Sequence, residues 1–154
     1  MMNNKFFFIL AIGVGLMMIS SKLNMPRGIR NNNPGNLENN GIPWNGLSST
    51  QTDARFYQFV DSKFGIRALA RVLKTYESKY GINTVRGIIN RWAPAHENNT
   101  DAYINHVASV LKVGPDEPFP VSAYLVPLTE AIILHENGVQ PYPMAQIVAG
   151  VSLA

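Results

Sequence analysis

The sequence predicts a mainly α-helical domain with an irregular amino-terminal loop region, preceded by a hydrophobic amino-terminal helix. Three observations carry this expectation. Phe6 to Ile19 is an unbroken run of apolar residues and glycine. Residues 24–59 are rich in Asn, Gly, Pro, Ser and Thr, with isolated aromatics and no sustained period, which predicts loops with at most a short hairpin. Beyond them, apolar residues recur at spacings of three and four between recognisable caps.

A chain of 154 residues holds one domain with a real core and is too short for two ordinary ones. The absence of cysteine excludes a disulfide framework, a thiolate zinc site and thiol catalysis. A net charge of +3 suits an anionic partner such as an envelope, a membrane surface or nucleic acid without choosing among them.

The apolar run follows Lys5 and precedes Ser20, Ser21 and Lys22. Its length matches the core of a secretory signal and falls short of the roughly 20 residues that cross a bilayer comfortably. The residues from Met18 to Ser21 make a poor cleavage site, so the expectation is an uncleaved anchor over 1–24 and a folded domain over 25–154. Lys22, Arg27 and Arg30 after the segment argue against export, in conflict with that placement.

Asp61 or Ser62 caps the first long helix, in which Ile66, Leu69, Val72, Leu73, Tyr76 and Tyr80 share a face before Gly81 ends it. Thr84 caps a second helix that presents Val85, Ile88, Ile89 and Trp92 and stops near Pro94. Thr100 caps a third, with Tyr103, Ile104, Val107 and Leu111 inward and Gly114 as terminator. After a linker from Pro115 to Pro120, a helix runs to about Asn137, either starting at Pro127 or kinked there, and Gly138 closes it. A last helix carries Met144, Ile147, Val148 and Val151 on one face.

Ten acidic residues are few enough to sort individually. Asp61 and Asp101 lie at helix starts, Glu77 on an outer face, Glu130 in an early turn, and Asp116 and Glu117 in a solvated linker. Glu38 and Asp53 belong to the polar front end and are reserve candidates for chemistry. Glu136 differs, because it follows Ala131, Ile132, Ile133 and Leu134 and precedes the helix-ending Asn137 and Gly138. Desolvation and the negative end of the helix dipole there both favour the protonated carboxyl that a general acid requires. Glu97, in the loop between Pro94 and Thr100, either positions a ligand or caps the helix that follows.

Other chemistries lack their apparatus. His96, His106 and His135 have no zinc-protease spacing, so no metal or cofactor is expected. No serine sits in a nucleophile elbow, and the glycines form neither a phosphate loop nor a dinucleotide fingerprint. Lys63, Arg67, Arg71 and Lys74 align on one helix face, which reads as a solvated surface before a contact to phosphates or the anionic envelope, and the nucleic-acid-binding role it suggests ranks third among the functional readings.

RGIRNNNPGNL at Arg27 to Leu37 resembles the opening motif of a family of phage-associated peptidoglycan-degrading proteins. The likeness continues through Trp44, Gly46, Phe56, Phe59 and the GIRALAR stretch from Gly65 to Arg71. It then runs through Asn83 to Val85, Ile88 to Pro94, Glu97 to Tyr103 and Ala131 to Gly138. The last of these is similar to the helix end of lytic transglycosylases, where the corresponding glutamate is the catalytic acid. Asn33 to Leu37 resembles the asparagine loop of bacterial glucosaminidases. A circularly permuted lysozyme-like fold reconciles the two likenesses.

The resemblance implies cleavage of the bond between N-acetylmuramic acid and N-acetylglucosamine, with Glu136 as acid and then base, and with Glu97 as activator of water if the outcome is hydrolysis. It implies Arg30, Asn33, Asn36, Trp44, Tyr103 and Asn137 as glycan-binding residues, with Trp92 a further groove candidate. For each of these, turn geometry or core packing is the alternative role. The partners implied are peptidoglycan strands, a virion or host inner membrane through residues 6–19, and other virion proteins, with the catalytic domain facing the periplasm or wall. A non-catalytic virion structural protein, a glycan-binding module and an endopeptidase remain open as alternatives.

Overall fold

A computed structural model describes residues 24–93 and 99–154. The expected anchor at 6–19 and the candidate Glu97 lie outside the described residues. Among the described residues no helix is long and apolar enough to cross a membrane.

The described chain is mainly helical. Helix α1 spans Arg27–Arg30, α2 Ser62–Tyr80, α3 Val85–Trp92, α4 Thr100–Leu111, α5 Leu125–Asn137 and α6 Met144–Ser152, with a 3-10 turn at Val121–Ala123. Two isolated antiparallel bridges, Glu38 to Phe56 and Leu47 to Phe59, are the pairing in the front end.

Helix α2 is the central element. Asp61 starts it by accepting from the Lys63 amide at 2.8 Å, and Gly81 ends it in the left-handed region at φ 63°. Its Ile66, Leu69 and Leu73 are fully buried and meet Val85, Ile88 and Ile89 of α3, Ile104 and Val107 of α4, and Leu128, Ile132 and Ile133 of α5 in one core. Helix α6 packs along α2, where Gly150 lets the backbones close on Ile66. A smaller cluster of Tyr57, Phe59 and Ala68, with Trp44 and Phe64 against it, fastens the front end to the other side of α2.

Several boundaries differ from expectation for local reasons. The Arg27–Arg30 stretch, expected as loop, forms a single helical turn. Asn99 rather than Thr100 caps α4, accepting from Ala102 N, while the Thr100 hydroxyl donates to the Ala93 carbonyl. That helix ends at Leu111 because Lys112 takes the left-handed conformation, so Gly114 is not its terminator. Helix α5 begins at Leu125 and carries Pro127 in its first turn, where a missing N–H has no helical partner to lose. On α6 the inward residues are Ile147 and Gly150, with Val151 partly so, whereas Met144 and Val148 are exposed.

Some carboxylates expected in solvent tie the fold together. Glu77 accepts from the Val121 and Ser122 amides and the Ser122 hydroxyl; the hydroxyl contact chiefly holds its carboxyl below the usual range. Asp116 pairs with Arg86 at 2.7 Å, and Glu117 accepts from the Gly114 amide. On the basic face of α2, Arg67 and Arg71 donate to the carbonyls of Leu153 and Ala154, which assigns that pair to helix packing.

Candidate active site

The front end reaches the helices through its asparagines. Asn32 and Asn36 both adopt φ 51°, a left-handed conformation that asparagine tolerates better than most side chains. Asn33 is fully buried: its amide nitrogen donates to Leu37 O and Tyr57 O, and its oxygen accepts from Leu37 N. Both of its donors are spent on holding the turn and the side chain is sealed from solvent, so it does not face a ligand. Asn31 and Asn32 serve the same end by donating to Asp53 and to Phe59 O.

Two glycines set how closely this loop can dock. A Cβ on Gly65 would collide with the Asn32 carbonyl, which lets the loop lie directly on α2. A Cβ on Gly28 would stand 2.6 Å from Asn137 Oδ1, 2.8 Å from Asn36 Oδ1 and 2.9 Å from Asn33 O. Both amide oxygens are buried without a hydrogen-bond partner, closed off by the bare Cα of Gly28.

Asn137, the last residue of α5, donates to Pro34 O at 2.8 Å and to Ile133 O at 2.9 Å. It therefore fixes the helix end to the loop, and its neighbour Glu136 is carried to the same junction. There the Glu136 carboxylate accepts three hydrogen bonds. Oε1 receives the Trp92 indole N–H and the Tyr103 hydroxyl, each at 3.1 Å, and Oε2 receives Asn36 Nδ2 at 3.1 Å. The apolar setting expected for this side chain is in fact a ring of donors, contributed by the loop, α3 and α4.

Tyr103 lies beneath the carboxylate, 1% exposed, and stacks on His135 with ring centroids 3.6 Å apart. Burial, reinforced by Glu136, holds its phenol well above the usual range, so it remains a donor. It supports Glu136 from within the core and is not a wall of the groove.

Glu136 opens into a cleft of about 1160 Å³. Asn36, Trp44 and Phe56 line one side, and Tyr76, Tyr80, Arg91 and Trp92 line the other. Periodicity placed Tyr76, Tyr80 and Trp92 with the core; the structure puts them at its edge, half-buried or exposed, as cleft lining. Glu38 also reaches the cleft, paired to Arg55 at 2.6 Å. Arg30 sits outside it, by a shallow depression formed with Asn31, Thr52, Asp53 and Gln58. Asp53, the other reserve carboxylate, is held well below the usual range, chiefly by its hydrogen bonds with Arg27 at 2.6 and 2.7 Å. It is a fastener of the loop.

No protein-family model matches the chain. Over 148 residues it is 38% identical to Protein P5 of Pseudoalteromonas phage PM2, a match that covers 94% of this chain and 92% of that protein. The chain belongs to the P5 family. In this P5-family chain the match is long enough to take in the front loop and the helices that supply the Glu136 donors.

Sequence reasoning singled out Glu136, Asn36 and Trp44, which meet at the cleft, and Tyr103 and Asn137, which support it. It missed Arg91, Tyr76 and Tyr80 as cleft residues. The signal available was the excess of tyrosine at the end of α2, where a helix leaves the core and large apolar rings have no further layer to fill.

Proposed function

We propose that this protein cleaves peptidoglycan glycan strands between N-acetylmuramic acid and N-acetylglucosamine, with Glu136 as the catalytic acid and base, on a lysozyme-like domain of permuted order. The observation that carries the reading is a carboxylate on the last turn of a core helix, opening into a groove with aromatic and amide side chains on its walls. Aromatic faces and amide edges are what a chain of acetamido sugars requires of a groove.

The hydrogen bonds assign roles to the two oxygens. Oε1 already accepts twice, whereas Oε2 accepts only from Asn36 and keeps a lone pair for the acid proton. Oε2–H gives its proton to the glycosidic oxygen as the bond to C1 breaks, and the three donors complement the negative charge left on the carboxylate. That carboxylate then takes the proton of the muramic C6 hydroxyl as it attacks C1, closing a 1,6-anhydro ring. The cycle returns Glu136 to its starting state and needs no second carboxylate. On this reading the protein acts from a membrane, through residues 6–19, on the wall of a phage host.

Digestion of purified sacculi by the full-length chain tests the proposal. Released anhydro-muropeptides are expected by mass spectrometry, and Glu136→Gln should abolish their release while retaining the helical circular dichroism signal. Reducing-end sugars would replace transglycosylation by hydrolysis, and new amino termini would replace both by peptide cleavage. Full activity in the variant would remove Glu136 from the mechanism.

A further inference from the structure

We infer that Arg91, laid over Tyr80 in the wall of the Glu136 cleft, forms a subsite for a carboxylate-bearing substituent of the bound strand. The inference rests on the glycan-cleaving reading for the nature of the strand, although the subsite itself is defined by charge and shape.

Two arginines line the cleft. Arg55 is paired with Glu38 at 2.6 Å, and its charge is met within the protein. Arg91 pairs with no carboxylate among the described residues. Its guanidinium carbon lies 4.0 Å from the ring centroid of Tyr80 and 5.3 Å from that of Tyr76. Both tyrosines belong to the last turns of α2, and Arg91 to the last turn of α3, so two helices that share the core fix the arrangement.

A guanidinium stacked by its face keeps its edge N–H groups for other acceptors, and those edges match a carboxylate in a fork. The stacking also removes part of the side-chain freedom that an isolated surface arginine would lose on binding. The positive charge stands one residue from Trp92, whose indole holds Glu136, so a ligand on Arg91 shares the groove with the reacting bond. On a strand of alternating amino sugars the lactyl carboxyl is amide-linked to the peptide stem, so the carboxylates are those of the stem where it is attached and of the lactyl ether where it has been removed. Arg91 would thus favour muramic acid in the adjoining position over a neutral sugar.

Three substrates separate these sources: peptide-bearing glycan, the same glycan stripped of peptide by an amidase, and neutral chito-oligosaccharide. With the full-length chain, Arg91→Gln should lower kcat/KM on peptide-bearing glycan about tenfold more than on chito-oligosaccharide, chiefly through KM, the size of one charge-assisted contact. An excess loss confined to peptide-bearing glycan assigns the stem carboxylates, and one that persists on stripped glycan shows that the fork also takes the lactyl carboxylate that the amidase sets free. Arg91→Lys, which keeps the charge without the fork, should recover part of the affinity. An equal loss on all three substrates, or none, overturns the subsite. If the wild-type chain releases no sugar, the glycosidase reading fails by itself. Titration of full-length Glu136→Gln with a muramyl dipeptide and with di-N-acetylglucosamine then decides the subsite, since Arg91→Gln in that background must weaken the first selectively.

Discussion

Asn36 donates to Glu136 at 3.1 Å across 100 positions of sequence. The loop that opens the domain and the helix near its end thereby share one carboxylate, and Asn137, reaching to Pro34 O at 2.8 Å, holds the same junction from the other direction. A polar contact of this range can form only where the core has already brought α5 to the loop, so the site depends on the packing of the whole domain.

Tyr103→Phe is expected to leave the ring stacked on His135 and the core filled while removing one of the two donors to Oε1. The loss of a preorganised donor to a developing negative charge typically costs about a hundredfold in kcat. Steady-state kinetics on sacculi with a matched melting curve checks it; a drop in stability without a change in kcat would make Tyr103 a packing residue only.

Gly28→Ala places a methyl group against Asn137 Oδ1, Asn36 Oδ1 and Asn33 O, all backed by fixed structure. Overpacking of this kind costs about 1–3 kcal/mol. Because Asn36 must retreat, activity should fall along with denaturant stability, and a variant with both unchanged would contradict the tight closure described.

Asn33→Ala leaves Leu37 N, Leu37 O and Tyr57 O without their partner in a buried turn. A destabilisation of about 2–3 kcal/mol is expected in urea titration. Below the melting point the surviving folded fraction should bind glycan as the wild type does, which separates this structural asparagine from Asn36.

Acidification should destabilise the fold in two windows. Burial, then the nearby His106, lowers His135 below its ordinary 6.5, so the unfolded chain takes up a proton more readily than the folded one. The stability His135 contributes is present above pH 6.5 and is lost as pH falls through its lower folded value. Asp53, held down chiefly by Arg27, keeps its contribution above the ordinary 3.8 and loses it only in stronger acid. Melting curves from pH 7 into strong acid, well below the ordinary 3.8 of Asp53, should show both steps, with His135→Gln flattening the first and Asp53→Asn the second.

The helices were legible because their limits are local. Asp61, Thr84, Gly81 and Gly138 act on backbone groups within a few residues, and each stands where the sequence placed it. Glu136 was legible for a related reason: a carboxylate directly after an apolar helical run and before a helix stop must lie at a core edge. What those residues meet was not legible. Asn33 and Asn36 have the same side chain three positions apart, yet one is sealed inside the turn and the other faces the cleft. Trp92, Tyr76 and Tyr80 follow the core period but line the groove, because helical spacing gives the direction of a side chain and not whether another element covers it.

The sequence by itself determined the helical class, most helix limits and the place of Glu136 at the edge of the core, since each depends on neighbours along the chain. Only the tertiary structure decided which donors surround Glu136, that Arg91 stands beside them with no carboxylate partner among the described residues, and that Arg30 lies elsewhere. Hydrogen bonds and charges act over a few ångströms of space, and the packing of α2 to α5 alone sets which distant residues fall within that reach.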